Sequence, residues 1–164
     1  FFILINKMAS NSTLCANNVS THSLNVSAPR PVNQKVAEAL TLTADDHGKT
    51  FLLDASTSFA VTLPTATTEA AAEALVGTQF RFVLDVDHAS NDITIVRGDT
   101  SNDVIDGNVV QIADGGQAAA ITVGSNVITF DASAAMAVGD FVDVVCTHGT
   151  SSVMRYIATG VATD

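Results

Sequence analysis

Gly48-Lys49-Thr50 ends like a phosphate-cradling loop. That loop needs a glycine five residues earlier, so that backbone N–H groups can close around phosphate oxygens. Thr43 occupies the position, and Asp45 and Asp46 stand where a phosphate would have to sit. Phosphate binding is therefore excluded here. Gly149-Thr150-Ser151-Ser152-Val153 begins like the sharp turn that exposes a nucleophilic serine, but the closing glycine is missing. Such a turn also needs a strand-to-helix context, which a strand-rich chain does not supply.

His22, His47, His88 and His148 fall in expected loops or in the N-terminal region. No two share one element at metal-ligand spacing, and each reads as an ordinary surface histidine. Two acidic loops carry oxygen ligands of the kind calcium uses: Asp85, Asp87, Asn91 and Asp92, then Asp99, Asn102, Asp103 and Asp106. Neither follows the calcium-loop pattern with its closing glutamate, and turn formation accounts for Asp, Asn and Gly there without an ion. Cys15 and Cys146 lie far apart, with no paired-cysteine motif. Cys146 ends an apolar strand and reads as a buried free thiol. The expectation is a protein without catalytic residues, metal or cofactor.

Composition points the same way. Seventeen acids face seven bases, a net charge of −10, and the bases form no cluster. A phosphate backbone and an anionic membrane surface are both poor partners for such a chain. The balance instead favours solubility and self-avoidance. Apolar residues make up 47% of the 164, enough for a core in one domain. Val, Thr and Ser with abundant Asp and Gly favour strands joined by tight turns.

The elements follow from period-two alternation. Leu40, Leu42 and Ala44 alternate with threonines, and Asp45 to Gly48 turns the chain. Thr50–Asp54 and Phe59–Leu63 are strands around the turn Ala55 to Ser58, and Pro64 ends the second. Residues 66–76 are an Ala/Glu run with Thr67 or Thr68 to cap it and Gly77 past its end, so one short helix is expected. Further strands are expected over 80–84, 93–97, 108–112, 120–123, 127–130, 141–146 and 153–159. Asp106-Gly107 reads as a hairpin turn, as do Asp114-Gly115-Gly116 and Gly124-Ser125-Asn126. The whole is an all-β fold, a β-sandwich or β-barrel of nine or ten short strands with one short helix, over residues 40–164.

Residues 1–39 read as an extended N-terminal arm. Phe1 to Ile5 is apolar but too short for a membrane span, and Met8-Ala9-Ser10 resembles an ordinary start. Residues 9–36 are rich in Asn, Ser and Thr. The triplets at Asn11, Asn18 and Asn25 match the glycosylation pattern by composition alone. Val19, Leu24, Val26 and Val32 are spaced apolar residues in a polar segment. Two readings compete: a disordered tail, or an arm whose apolar side chains dock on a neighbouring subunit.

Three blocks carry a resemblance: Leu42 to Asp54, then Val61-Thr62-Leu63-Pro64, then Gly77 to Leu84. Ile93-Thr94-Ile95 and Val138-Gly139-Asp140-Phe141 through Val145 continue it. This spacing resembles a β-domain of tailed-bacteriophage virion proteins over about residues 40–160. His47, the long insert at 66–76 and Met154-Arg155-Tyr156 depart from the usual pattern. The resemblance implies a non-enzymatic virion structural protein, a head decoration (cement) protein on the capsid surface. Its partners would be the major capsid protein and further copies of itself as a homo-oligomer, with neither nucleic acid nor membrane involved. A tail fibre or other tail-associated domain is the first alternative. A small-ligand binder or enzyme of the barrel class is the second.

Overall fold

A computed structural model describes residues 33–87, 90–99, 101–112, 121–124, 126–134 and 136–163. Contacts divide the chain into Phe1–Arg30 and Pro31–Asp164, and the architecture below belongs to the second unit. Among the described residues eleven strands form two sheets. Sheet I holds β1 (Asn33–Val36), β3 (Thr50–Asp54), β5 (Gln79–Val86), β10 (Phe141–Thr150), β11 (Val153–Thr163) and β7 (Val104–Ile112), in that spatial order. Sheet II holds β2 (Leu40–Thr41), β4 (Phe59–Thr62), β6 (Ile93–Val96), β9 (Val127–Phe130) and β8 (Ile121–Val123). One helix, α1 (Glu69–Leu75), lies against β10. The fold is a sandwich rather than a barrel.

The order of strands shows how the chain is wound. From β1 to β6 it alternates between the sheets, one strand in each. Neighbours made this way are parallel: β1 with β3 and β3 with β5 in sheet I, β2 with β4 and β4 with β6 in sheet II. Parallel neighbours need a crossover, usually a helix. Here the strand in the opposite sheet supplies it. After β7 the chain changes habit. β8–β9 and β10–β11 are antiparallel hairpins that extend the two sheets.

The core lies between the sheets and follows the alternation read from sequence. Phe51, Leu53, Phe80, Phe82 and Leu84 point in from sheet I, and Val61, Leu63, Ile93, Ile95, Ile128 and Phe130 from sheet II. Phe51 and Phe82 are register partners and stack with ring centroids 5.4 Å apart. The helix forms where expected, shortened to its Ala/Glu centre. Thr68 caps it by accepting the Ala71 N–H at 3.2 Å, and Gly77 leaves it at φ 85°.

Several expectations are corrected. Ala44 is not a strand position. Ala44–Asp46 is one turn of 3-10 helix, because Asp46 accepts the Thr43 N–H at 2.8 Å and closes the chain on itself. Asp85 and Val86 continue β5 instead of opening a loop. Residues 33–36, within the stretch read as arm, form the edge strand of sheet I. Asp106-Gly107 makes no hairpin; both lie inside β7, which runs parallel to β11. The turn expected at 114–116 lies outside the described residues.

Gly107 explains that last difference. Its φ is 149°, and a Cβ there would sit 1.9 Å from the Ala158 carbonyl oxygen on β11. The glycine is needed for close approach of two strands, not for a turn. Gly107→Ala should lower stability by at least about 3 kcal/mol in chemical denaturation. Gly124→Ala, where the nearest atom is 3.6 Å away, is the control and should change little. Equal stabilities for the two variants would refute the close-approach account.

Candidate interaction site

Among the described residues no group of three or more His, Cys, Asp or Glu side chains could hold a metal ion. The acidic loops show why. Their carboxylates are turned onto backbone N–H groups. Asp103, 1% exposed, accepts the Met154 N–H at 2.7 Å through Oδ1 and the Asp99 N–H at 2.9 Å through Oδ2. Asp99 in turn accepts the Ser101 N–H, and Asp92 the Ala132 N–H. Asn91 donates to the Ala55 and Ser56 carbonyls. Asp85 stands 3.8 Å from Lys35, and Asp106 3.9 Å from Arg155. Asp140, equally buried, accepts the Thr163 N–H and hydroxyl and the Ala137 N–H at 2.7–3.0 Å. These are ties between loops and strands.

The other candidates for chemistry are also structural. Lys49 pairs with Asp46 beside Gly48, which turns at φ 76°. Ser151 sits in the turn between β10 and β11 and donates its hydroxyl to Glu69 Oε1 at 2.7 Å. That bond ties the hairpin to the helix start and holds the Glu69 carboxyl below its usual range. His47 Nδ1 accepts the Gln79 N–H at 3.0 Å, linking the 3-10 turn to β5. His148 is exposed on β10. Cys146 is buried, and burial pushes its thiol up to about 11, leaving it a poor nucleophile. His22, His88 and Cys15 lie outside the described residues. So do Val19, Leu24, Val26 and Val32, the four residues read as partner contacts.

Two surfaces remain that could meet a partner. The first is the outward face of sheet I. Leu52, Val83, Phe141, Val161 and Val110 are successive register partners across β3, β5, β10, β11 and β7. They form one partly exposed apolar row, with Val110 59% exposed at its end. Beside it Arg81 grips Asp143 through two bonds of 2.6–2.7 Å and lies 4.8 Å from the centre of the Phe141 ring. Lys35 and Asp54 pair at 3.0 Å at the β1 edge. The Ser56 hydroxyl and Lys35 together hold the Asp54 carboxyl at about 2.

The second surface is a groove of about 440 Å³ at the edge of sheet II. Thr41, Leu42 and Ala44 form one wall, Ala71, Ala74 and Leu75 of α1 another, and Leu63 and Pro64 part of the floor. Its lining is almost wholly apolar. The groove is built before any partner arrives. Tyr156 is fully buried and reaches across from β11 to donate its hydroxyl to the Pro64 carbonyl. Burial pushes that phenol well above its ordinary range. Leu63 N–H binds the Val96 carbonyl at 2.8 Å. Gly98 packs so closely that a Cβ would meet the Leu63 carbonyl at 2.6 Å. Sequence reasoning missed this groove, because its walls come from β2, β4 and α1 and only their packing brings them together.

No protein-family model matches the chain, and no curated protein or solved structure matches it.

Two predictions test these ties. Tyr156→Phe leaves the buried Pro64 carbonyl without its donor and should cost about 1–3 kcal/mol of unfolding free energy. A loss under about 0.5 kcal/mol would mean that the bond does not hold the groove floor. Asp54 has a folded pKa of about 2 against an ordinary 3.8. The unfolded chain therefore takes up the proton first as pH falls. The contribution is complete above about pH 4 and drains away towards pH 2. Asp54→Asn should flatten the stability-against-pH curve in that window and leave its slope unchanged near neutrality.

Proposed function

We propose that this chain is a non-enzymatic structural protein of a tailed-phage particle, a head decoration protein that binds the major capsid protein from outside and stabilises the shell. The observation that supports this best is the pairing of two apolar surfaces with one rigid scaffold. The row on sheet I and the groove on sheet II are broad and chemically plain, as befits adhesion to other protein. The carboxylates of Asp92, Asp99, Asp103 and Asp140 bind backbone N–H groups and hold loops in place. The sequence blocks that resemble virion β-domains fall on β3, β4, β5 and β10, the central strands of both sheets. The acidic character of the domain suits a surface that must not stick to other particles.

The deciding measurement is copy number per purified particle, by quantitative mass spectrometry scaled to the major shell protein. A ratio near that of the shell protein is expected. A few copies per particle would move the chain to the tail, and absence from particles would end the reading. Deletion of residues 9–32, which spares β1, should abolish particle binding while the circular-dichroism spectrum of the β-domain persists.

A further inference from the structure

The groove on sheet II ends at a sheet edge. Among the described residues β2 pairs with β4 alone, and Leu42 donates to the Thr62 carbonyl at 2.9 Å. Backbone groups alternate along a strand, so the N–H and C=O of Thr41 face away from β4. An apolar groove beside an outward-facing strand edge is the arrangement used to bind an extended segment as an added strand. The winding already uses this geometry twice, since β4 joins β2 and β6 joins β4, each in parallel.

One stretch of this sequence has the matching pattern. In Ser23-Leu24-Asn25-Val26-Ser27-Ala28, apolar and polar residues alternate without a break, and Pro29 closes the run. Three small or medium aliphatic side chains on one face suit a groove lined by Ala, Leu and Thr. Charge agrees. Residues 1–32 contain Lys7 and Arg30 and no acid, while all 17 acids and the other five bases follow Val32. Asp45 and Glu73, both exposed, adjoin the lining residues Ala44 and Ala74, and no base lines the groove. Arg30 follows Ala28 by two positions, within reach of such a rim.

We propose that the β2 edge and its groove take residues 23–28 of a second copy as an added strand, so that copies associate by exchanging N-terminal segments. The occupant comes from a second copy because the acid-free segment with Lys7 and Arg30 complements an acidic domain and can join copies that their like charge otherwise keeps apart. Exchange between identical chains also closes on itself, as most homo-oligomers do. The proposal rests on the reading of residues 1–32 as an arm, not on the presence of a phage particle.

The test uses full-length chains in a Cys15→Ser background, with Cys146 retained in the core. One chain carries Val26→Cys, and a second, of different tagged mass, carries Thr41→Cys. Mixed and mildly oxidised, they should form a disulfide between unlike chains. A partner with Thr122→Cys on β8, at the far edge of sheet II, should not. Light scattering should show association that Leu24→Asp or Ala74→Glu weakens at least tenfold. Single-chain mass at high micromolar concentration with no mixed disulfide would overturn the proposal. A disulfide formed only within a chain carrying both cysteines would overturn it too, by showing that the segment stays on its own domain. Neither outcome depends on particle copy number, so the two readings fail separately.

Discussion

Parallel pairing is the constraint on which most of this structure depends. A strand cannot turn tightly into a parallel neighbour; the chain must first travel back along its length. In α/β proteins a helix makes that return. Here the return is another strand, so each sheet is built through the other. Residues of both sheets therefore share one core cluster. Phe51 and Phe82 stack because β3 and β5 are adjacent in sheet I, and they are adjacent only because β4 has carried the chain through sheet II. The same logic explains the second half. Once β8–β9 and β10–β11 pair as hairpins, β7 can reach sheet I only as a parallel outer strand, and Gly107 permits its close approach to β11.

Buried polar groups secure the places where this winding leaves the sheets. Asp103 and Asp140 lie where loops meet β11, at its start and its end. Each spends its oxygens on backbone N–H donors, as a buried carboxylate must to offset its desolvation. Tyr156 does the corresponding work for the end of β4. The Tyr156 tie ends on Pro64, which lines the groove beside α1, and so fixes part of its floor. A groove of that kind loses little freedom when a partner enters, which favours binding.

The proposed function rests on surfaces rather than on a reactive centre. Serine, histidine, lysine and aspartate are all present in numbers. Many of their partners in space are backbone amides or counter-charges, and the described residues gather no group of three or more His, Cys, Asp or Glu that could hold a metal ion. What the domain offers a partner is apolar area in two forms, flat on sheet I and concave on sheet II, within a strongly acidic exterior. Surfaces of this kind suit recognition of other polypeptide by shape and burial, which is the basis of the proposed function.

Sequence alone determined the β class, the placement of most strands, and the short helix with its cap and closing glycine. These features are local. Alternation, capping and turn chemistry act over a few residues, and each leaves its period or its residue type in the chain. It also located the candidate arm residues Val19, Leu24, Val26 and Val32, though not what they touch. Tertiary structure decided the choice of sandwich over barrel, the parallel winding, the placement of Gly107 inside a strand and the groove between β2, β4 and α1. Period-two alternation is the same for parallel and antiparallel strands, and an Asp-Gly pair reads as a turn until a neighbouring backbone demands the space. The groove left no local mark at all, because residues 41–44, 62–65, 71–75 and 98 meet only after both sheets have closed.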